Sequence, residues 1–293
     1  MLSILIPVYN YNVFPLVNEL VKQCTFIGIE FEIICFDDAS QQFLVENSKI
    51  NDFDNASYSV LKQNIGRSAI RNLLAKSAVY ENLLFLDADT IPVSDHFISN
   101  YISQISNDEK VVYGGILYED TKPSKQQLLR WVYGKKREAL NTFERNKNPH
   151  LSFLTLNFLI KKSVFSKVIF NEKIPNLRHE DTLFSFELMQ NHIEITHIEN
   201  PIYHLGIEDS KTFLRKSEEA VLGLKNLIDN NLISPEYVKL SHYFRIAKKY
   251  HLQFIIAFGF RILKLVFSKQ LLSKKPSLFI FDIYRLGYYC TLN

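Results

Sequence analysis

The stretch Asn82-Leu-Leu-Phe-Leu-Asp-Ala-Asp-Thr90 decides how this chain is read: a continuous apolar run that stops at two carboxylates, Asp87 and Asp89. An apolar run without alternation suits a strand buried on both faces, as in a parallel sheet. A second run with the same kind of ending lies upstream, Phe31-Glu-Ile-Ile-Cys-Phe-Asp-Asp38. Working outward, Ser3–Pro7 reads as a buried strand and Ser57–Lys62 as a short one. A helix is expected from about Val13 to Gln23, with Phe14, Val17, Leu20 and Val21 on one face. Another runs through Asn64–Ser77, opening at Asn-x-Gly. Val111–Leu117 reads as a strand whose Gly114-Gly115 leaves room for something close by. This alternation predicts an open, largely parallel α/β sheet, with ligands beyond the carboxyl ends of its strands. Both acidic pairs fall there.

Further along, Lys122–Asn148 is polar and basic, Leu151–Ile160 is strand-like, and Thr182–Met189 takes up a helical pattern after Glu180-Asp181. Ile193–His197 is a late strand, and from Ser210 the pattern is helical to the end. The 47% hydrophobic and 22% charged residues exclude a largely disordered chain. Cys24, Cys35 and Cys290 make neither a disulfide framework nor a C-x-x-C metal site, which fits a reducing compartment. The first ten residues have no basic n-region and read as a strand rather than a signal peptide. The net charge of +3 is unevenly spread: −6 over residues 1–100, 0 over 101–210 and +9 over 211–293. Carboxylates in the first part suggest metal or acid–base chemistry, and the basic tail suggests an anionic surface.

Residues i and i+2 of an extended chain point the same way, so Asp87 and Asp89 can reach one hard cation, which would bridge protein and a diphosphate. An acidic turn after a strand has the same pattern. Gly66 opens a helix N-terminus, a ready anion site, and Arg67 and Arg71 project from one face, where they could clamp phosphate or answer neighbouring carboxylates. Asp181 begins a helix, whose positive end favours an ionised carboxylate. It suits either a general base or a capping acid. His204 could reach a site or serve as a structural residue.

Taken in order, Ser3-Ile-Leu-Ile-Pro-Val-Tyr-Asn10, Phe36-Asp-Asp-Ala-Ser40, Asn64-x-Gly66…Arg71-Asn72 and Leu86-Asp-Ala-Asp89 resemble the family 2 glycosyltransferases with a GT-A fold. The resemblance continues through Asn157, Arg178-His-Glu-Asp181 and Pro201-Ile-Tyr-His204, covering about residues 2–206. It implies an inverting, metal-dependent transfer from a nucleotide-diphosphate sugar, expected to be a UDP-sugar, with Mn²⁺ or Mg²⁺ as cofactor. Pro7, Tyr9 and Asp38 would line the nucleobase pocket, with Asp37 beside Asp38 and Arg67, then Arg71, approaching the nucleotide. Asp87, Ala88 and Asp89 would form the stretch that holds ribose and metal, Asp89 as the direct ligand and His204 as an additional one. Asp181 would be the base and Glu180 would hold the acceptor or the helix geometry. Two positions depart from the family pattern: Ala39 and His179 stand where glycine is usual.

The expected organisation is a catalytic domain over residues 1–208, with a donor half at 1–118 and an acceptor half at 119–208, followed by a helical, basic and aromatic region at 209–293. The expected acceptor is a glycan or a lipid-linked glycan in surface polysaccharide synthesis. The tail interleaves Arg245, Lys248, Lys249, Arg261 and Lys264 with Phe244, Tyr250, Phe254, Phe258, Phe260 and Phe267. It is expected to lie on an anionic membrane surface, putting the protein in the cytoplasm on the inner face of the cell membrane. Its alternative is packing against the rest of the protein. No nucleic-acid reader motif accompanies the charge. Two rival functions remain: a haloacid-dehalogenase-like phosphotransferase with Asp87 as nucleophile, and a non-catalytic subunit that binds nucleotide sugar or glycan.

Overall fold

The computed structural model describes residues 1–292, which fold as two compact units. One comprises Met1–Tyr118, Ala139–Glu172 and Glu180–Gly206; the other comprises Glu119–Glu138, Lys173–His179 and the chain from Ile207 onward.

The first unit is built on a seven-stranded sheet, ordered β3-β2-β1-β4-β8-β6-β9. Its strands are β1 (Leu2–Val8), β2 (Phe31–Asp37), β3 (Ala56–Val60), β4 (Asn82–Leu86), β6 (Lys110–Tyr113), β8 (Asn157–Lys161) and β9 (Glu194–His197). A second sheet, ordered β5-β10-β7, joins β5 (Thr90–Pro92), β7 (Ile116–Leu117) and β10 (Ile202–His204). β1 pairs in parallel with β2 and β4, β2 with β3, and β6 with β9. β8 runs antiparallel to both β4 and β6, the departure from an otherwise parallel sheet. Leu2, Ile4, Leu5 and Ile6 of β1 are wholly buried, which is why that strand sits centrally. The chain turns one way from β1 to β2 and the other way to β4. A crevice therefore opens at the carboxyl ends of β1 and β4. Beneath it, Leu5, Ile70, Leu74, Phe85, Phe158 and Phe184 share one core, with the Phe85 and Phe158 rings stacked at 4.8 Å.

Three local expectations are corrected. The first helix runs Phe14–Ile27, past Gln23, because only at Gly28 does the backbone reach φ +67° and close onto the Cys24 and Thr25 carbonyls. Val111–Leu117 is two strands in two sheets, parted by Gly114-Gly115. What approaches these glycines is the protein itself. A Cβ on Gly114 would lie 2.3 Å from the Asn200 carbonyl oxygen, and one on Gly115 would lie 2.7 Å from Arg145 Nη1. The buried Asn157 amide fastens this node, donating to the Gly115 carbonyl at 2.9 Å and accepting the Tyr101 hydroxyl at 2.7 Å. Lastly, Leu151–Ile160 becomes a strand only at Asn157. Before it, the Ser152 and Phe153 N–H groups fold back onto the Asn148 and His150 carbonyls.

The second unit carries helices Ser210–Asp229, Lys239–Lys249, Gln253–Leu271 and Leu278–Thr291, with a short helix at Leu128–Tyr133. Asp209 caps the first, its carboxylate accepting the Lys211 and Thr212 N–H groups at 3.0 Å. Leu129, Leu214, Phe260, Leu271, Phe281 and Tyr284 form the core. The Lys173–His179 segment lies on the Ser210–Asp229 helix at Gly223, where a Cβ would stand 2.7 Å from the Leu177 carbonyl oxygen.

Candidate active site

The paired aspartates at the end of β2 do different things, because successive side chains of an extended chain point to opposite sides. Asp37 is fully buried and accepts the Ser40 N–H at 2.7 Å and the Tyr58 hydroxyl at 2.5 Å. Burial and the Asp37 acceptor push that hydroxyl's pKa upward. Asp38 accepts the Ile65 and Gly66 N–H groups at 2.6 and 3.0 Å. Gly66 caps the Arg67–Ser77 helix, so the anion position expected at this N-terminus already holds a carboxylate of the chain itself. In the β1–β2 register Pro7 lies opposite Phe36 and Val8 opposite Asp37. Pro7 is half-buried and Tyr9 is 58% exposed, leaving its ring accessible.

The loops after β1 and β2 are stitched together. The Asn10 N–H donates to Ser40 Oγ at 2.7 Å, and Asn10 Oδ1 accepts the Gln41 N–H at 2.8 Å. Between them Ala39 has φ +62°, the left-handed conformation that favours glycine. Ala39→Gly is therefore expected to raise stability by about 1 kcal/mol, read by urea unfolding. An unchanged or lower midpoint would show that the loop carries no such strain.

Arg67 and Arg71 share a helix face, as their spacing predicts, but not an environment. Arg71 is buried: Nη2 donates to Asp87 Oδ1 at 2.8 Å, Nη1 lies 4.0 Å from Glu180 Oε1, and the guanidinium sits 5.4 Å over the Phe170 ring. It brackets the end of β4 to the start of the Glu180–Gln190 helix. Arg67, its side chain 43% exposed, lies 3.5 Å from Glu180 Oε1 and keeps an accessible guanidinium. Burial raises the Asp87 pKa, against the pull of Arg71. A carboxylate engaged in this way is poorly set up as the nucleophile that the phosphotransferase alternative requires.

Asp89 meets a different partner. β10 pairs antiparallel with β5, setting His204 opposite Thr90, and His204 Nε2 comes within 3.4 Å of Asp89 Oδ2. The Leu205 N–H donates to the Asp89 carbonyl at 2.8 Å. A Cβ on Gly206 would stand 2.1 Å from Asp89 Oδ2, so the carboxylate occupies space that only glycine leaves open. The Tyr118 ring lies 5.5 Å from His204, and the Tyr11 pKa is raised by burial and by the Asp89 charge. Tyr11, Tyr118 and Gly206 are site residues that sequence reasoning missed. Tyr11 and Gly206 meet Asp89, and Tyr118 meets His204, through contacts distant in the chain.

Among the described residues, no three His, Cys, Asp or Glu side chains are grouped to hold a cation. The residues present nonetheless fit one as two ligands. Asp89 offers an oxygen and His204 Nε2 a ring nitrogen, an oxygen–nitrogen pair that suits Mn²⁺. Donor phosphate oxygens and water would supply the remaining positions, as is usual for Mg²⁺ at phosphate sites. Asp87 is drawn instead toward Arg71.

Asp181 opens the Glu180–Gln190 helix, its Oδ1 accepting the Thr182 N–H at 2.7 Å. Burial first, and the Glu180 charge second, push its pKa up to about 6. The helix terminus does not hold it at an ordinary carboxylate value. Above that pH it is an ionised base of raised proton affinity, suited to taking a proton from a hydroxyl. Just before it, Arg178 and His179 both have φ +71°, so His179 adopts the backbone glycine would favour there.

A family model described as "Glycosyl transferase family 2" matches residues 3–169. No curated protein matches. Among solved structures, S. aureus TarS 1-349 aligns at 18% identity and a TM-score of 0.50, covering 77% of this chain and 65% of that one. The same TarS fragment in complex with UDP-GlcNAc aligns at 19% and 0.50, covering 77% and 66%. A further S. aureus TarS structure aligns at 19% and 0.52, covering 75% and 39%. At these identities the likeness is one of fold, and the chain spans less than two thirds of the length of these three neighbours.

Proposed function

This chain belongs to glycosyl transferase family 2, and from that premise we propose that it moves a sugar, with inversion, from a nucleotide-diphosphate sugar to a hydroxyl group. One observation carries the reading. Arg71 touches Asp87, two residues from Asp89, and approaches Glu180, next to Asp181. A leaving-side carboxylate and an acceptor-side carboxylate thus belong to one charged network within one unit. Asp181 takes the acceptor proton as the hydroxyl oxygen bonds to the anomeric carbon; the bond from that carbon to the diphosphate breaks, and the nucleoside diphosphate leaves. Arg67 offers charge to the diphosphate, and Tyr9 and Asp38 hold the base. Mn²⁺ or Mg²⁺ held by Asp89 and His204 would neutralise charge on the leaving diphosphate.

The donor proposed is a UDP-sugar, the class with which the fold neighbour TarS has been crystallised. The acceptor proposed is a glycan or lipid-linked glycan of a surface polysaccharide, met on the inner face of the cell membrane. Against the non-catalytic alternative stands the full carboxylate set, Asp38, Asp87, Asp89 and Asp181, which binding alone does not need. A thermal-shift panel of UDP-, GDP- and dTDP-sugars, with and without Mn²⁺, tests the proposal. UDP-sugars should raise the Tm, more with the metal, in step with the logarithm of concentration over Kd. A panel in which no nucleotide sugar raises the Tm would overturn it.

A further inference from the structure

The Gln253–Leu271 helix is apolar on two faces. Ala257, Phe260 and Leu271 are buried on one, with Phe260 so close to Gly287 that a Cβ there would lie 2.6 Å from its ring. The other face carries Phe254, Ile255, Phe258, Ile262, Leu265 and Val266, each between 59% and 75% exposed. A surface helix ordinarily turns polar residues outward, and an exposed apolar ridge of this kind calls for an apolar neighbour.

The surrounding charge says which neighbour. From Tyr237 to Phe281 the chain carries nine Lys and Arg residues and no Asp or Glu. Arg261 lies exposed on the helix itself; Lys248 and Lys249 precede it, and Lys274 and Lys275 follow it. A second copy of the chain seated on this face would bring like-charged flanks together. Anionic headgroups over an acyl layer complement both the charge and the apolar ridge. No single helix among the described residues is long and apolar enough to cross a membrane; the Lys239–Lys249 and Gln253–Leu271 helices reach that length and apolarity only as a pair, bent by 116°.

We propose that the Phe254–Val266 face of this helix is an insertion ridge that lies in the interface of an anionic phospholipid membrane, with the flanking Lys and Arg residues on lipid phosphates. This deepens the reading of a membrane-borne acceptor, but it stands on the surface of the helical unit and has its own test.

The test is flotation of the full chain with phosphatidylcholine vesicles, with and without phosphatidylglycerol, at low and high salt. Wild type should float with the anionic vesicles at low salt, and binding should fall about tenfold or more with pure phosphatidylcholine or high salt. The pair Phe258→Ser and Ile262→Ser should lower partitioning about a hundredfold with unchanged circular dichroism and an unchanged thermal shift by UDP-sugar. Wild type left in solution with anionic vesicles at low salt would overturn the proposal, as would a folded double variant that binds like wild type. A wild-type dimer that the double variant dissociates, without vesicle binding, would assign the face to a second copy instead. Retention on vesicles through an alkaline carbonate wash would overturn interfacial binding in favour of an embedded helix pair. Vesicle binding with no UDP-sugar shift in wild type would fail the glycosyl-transfer reading and leave this one standing.

Discussion

Asp181→Asn is expected to lower kcat by about 100- to 10,000-fold while leaving donor affinity nearly unchanged, because a positioned base acts on the acceptor proton and not on the nucleotide. With the Asp181 pKa pushed up to about 6, wild-type turnover should fall as pH drops through that value, and the variant's residual rate should lose that acid limb. Stability should move the opposite way. The folded-state pKa is above the unfolded one, so ionised Asp181 opposes folding once pH exceeds the unfolded value, and protonated Asp181 does not. The Asn variant should therefore be more stable than wild type at pH 7, by about 1–3 kcal/mol, and nearly equal to it below pH ~4. Turnover, calorimetric donor binding and unfolding midpoints at the two pH values check all three. Near wild-type turnover would move the base role to Glu180.

Asp89→Asn is the second large effect: metal-dependent donor affinity should fall about a hundredfold or more, with the fold intact. Gly206→Ala should reproduce much of that loss without touching the carboxylate chemically, since its Cβ would displace Asp89 Oδ2. Titration of UDP with and without Mn²⁺ reads both variants. A folded Asp89→Asn protein whose UDP binding still depends on Mn²⁺ would remove Asp89 from the metal site.

Much of the architecture is legible because it rests on local pattern. The buried runs of β1, β2 and β4 have nowhere to sit except the middle of a sheet, and their carboxyl ends mark the crevice. What was not legible depends on contacts distant in the chain. Strand geometry sends Asp37 and Asp38 to opposite sides, but it does not reveal that Tyr58 closes over Asp37 while Ile65 and Gly66 bind Asp38. Helical spacing puts Arg67 and Arg71 on one face. That Arg71 belongs to the buried stripe with Ile70, Leu74 and Ala75 could have been noticed from the neighbouring apolar residues. The partnership of Asp89 with His204, and the role of Gly206, follow from the β5–β10 pairing, which no local signal announces. Gly114-Gly115 did announce a close approach, but the neighbours are Asn157, Asn200 and Arg145.

The central claim is that Asp181 and Asp89 serve opposite sides of one displacement on a nucleotide sugar. Following UDP release from UDP-sugars by NMR, in the presence of Mn²⁺ and a candidate glycan or lipid-linked acceptor, tests it most directly. The account predicts release by wild type, with inverted configuration at the transferred sugar, and loss of release in an Asp181→Asn variant that still binds UDP. Retained configuration, or release that persists undiminished in that variant, would contradict it.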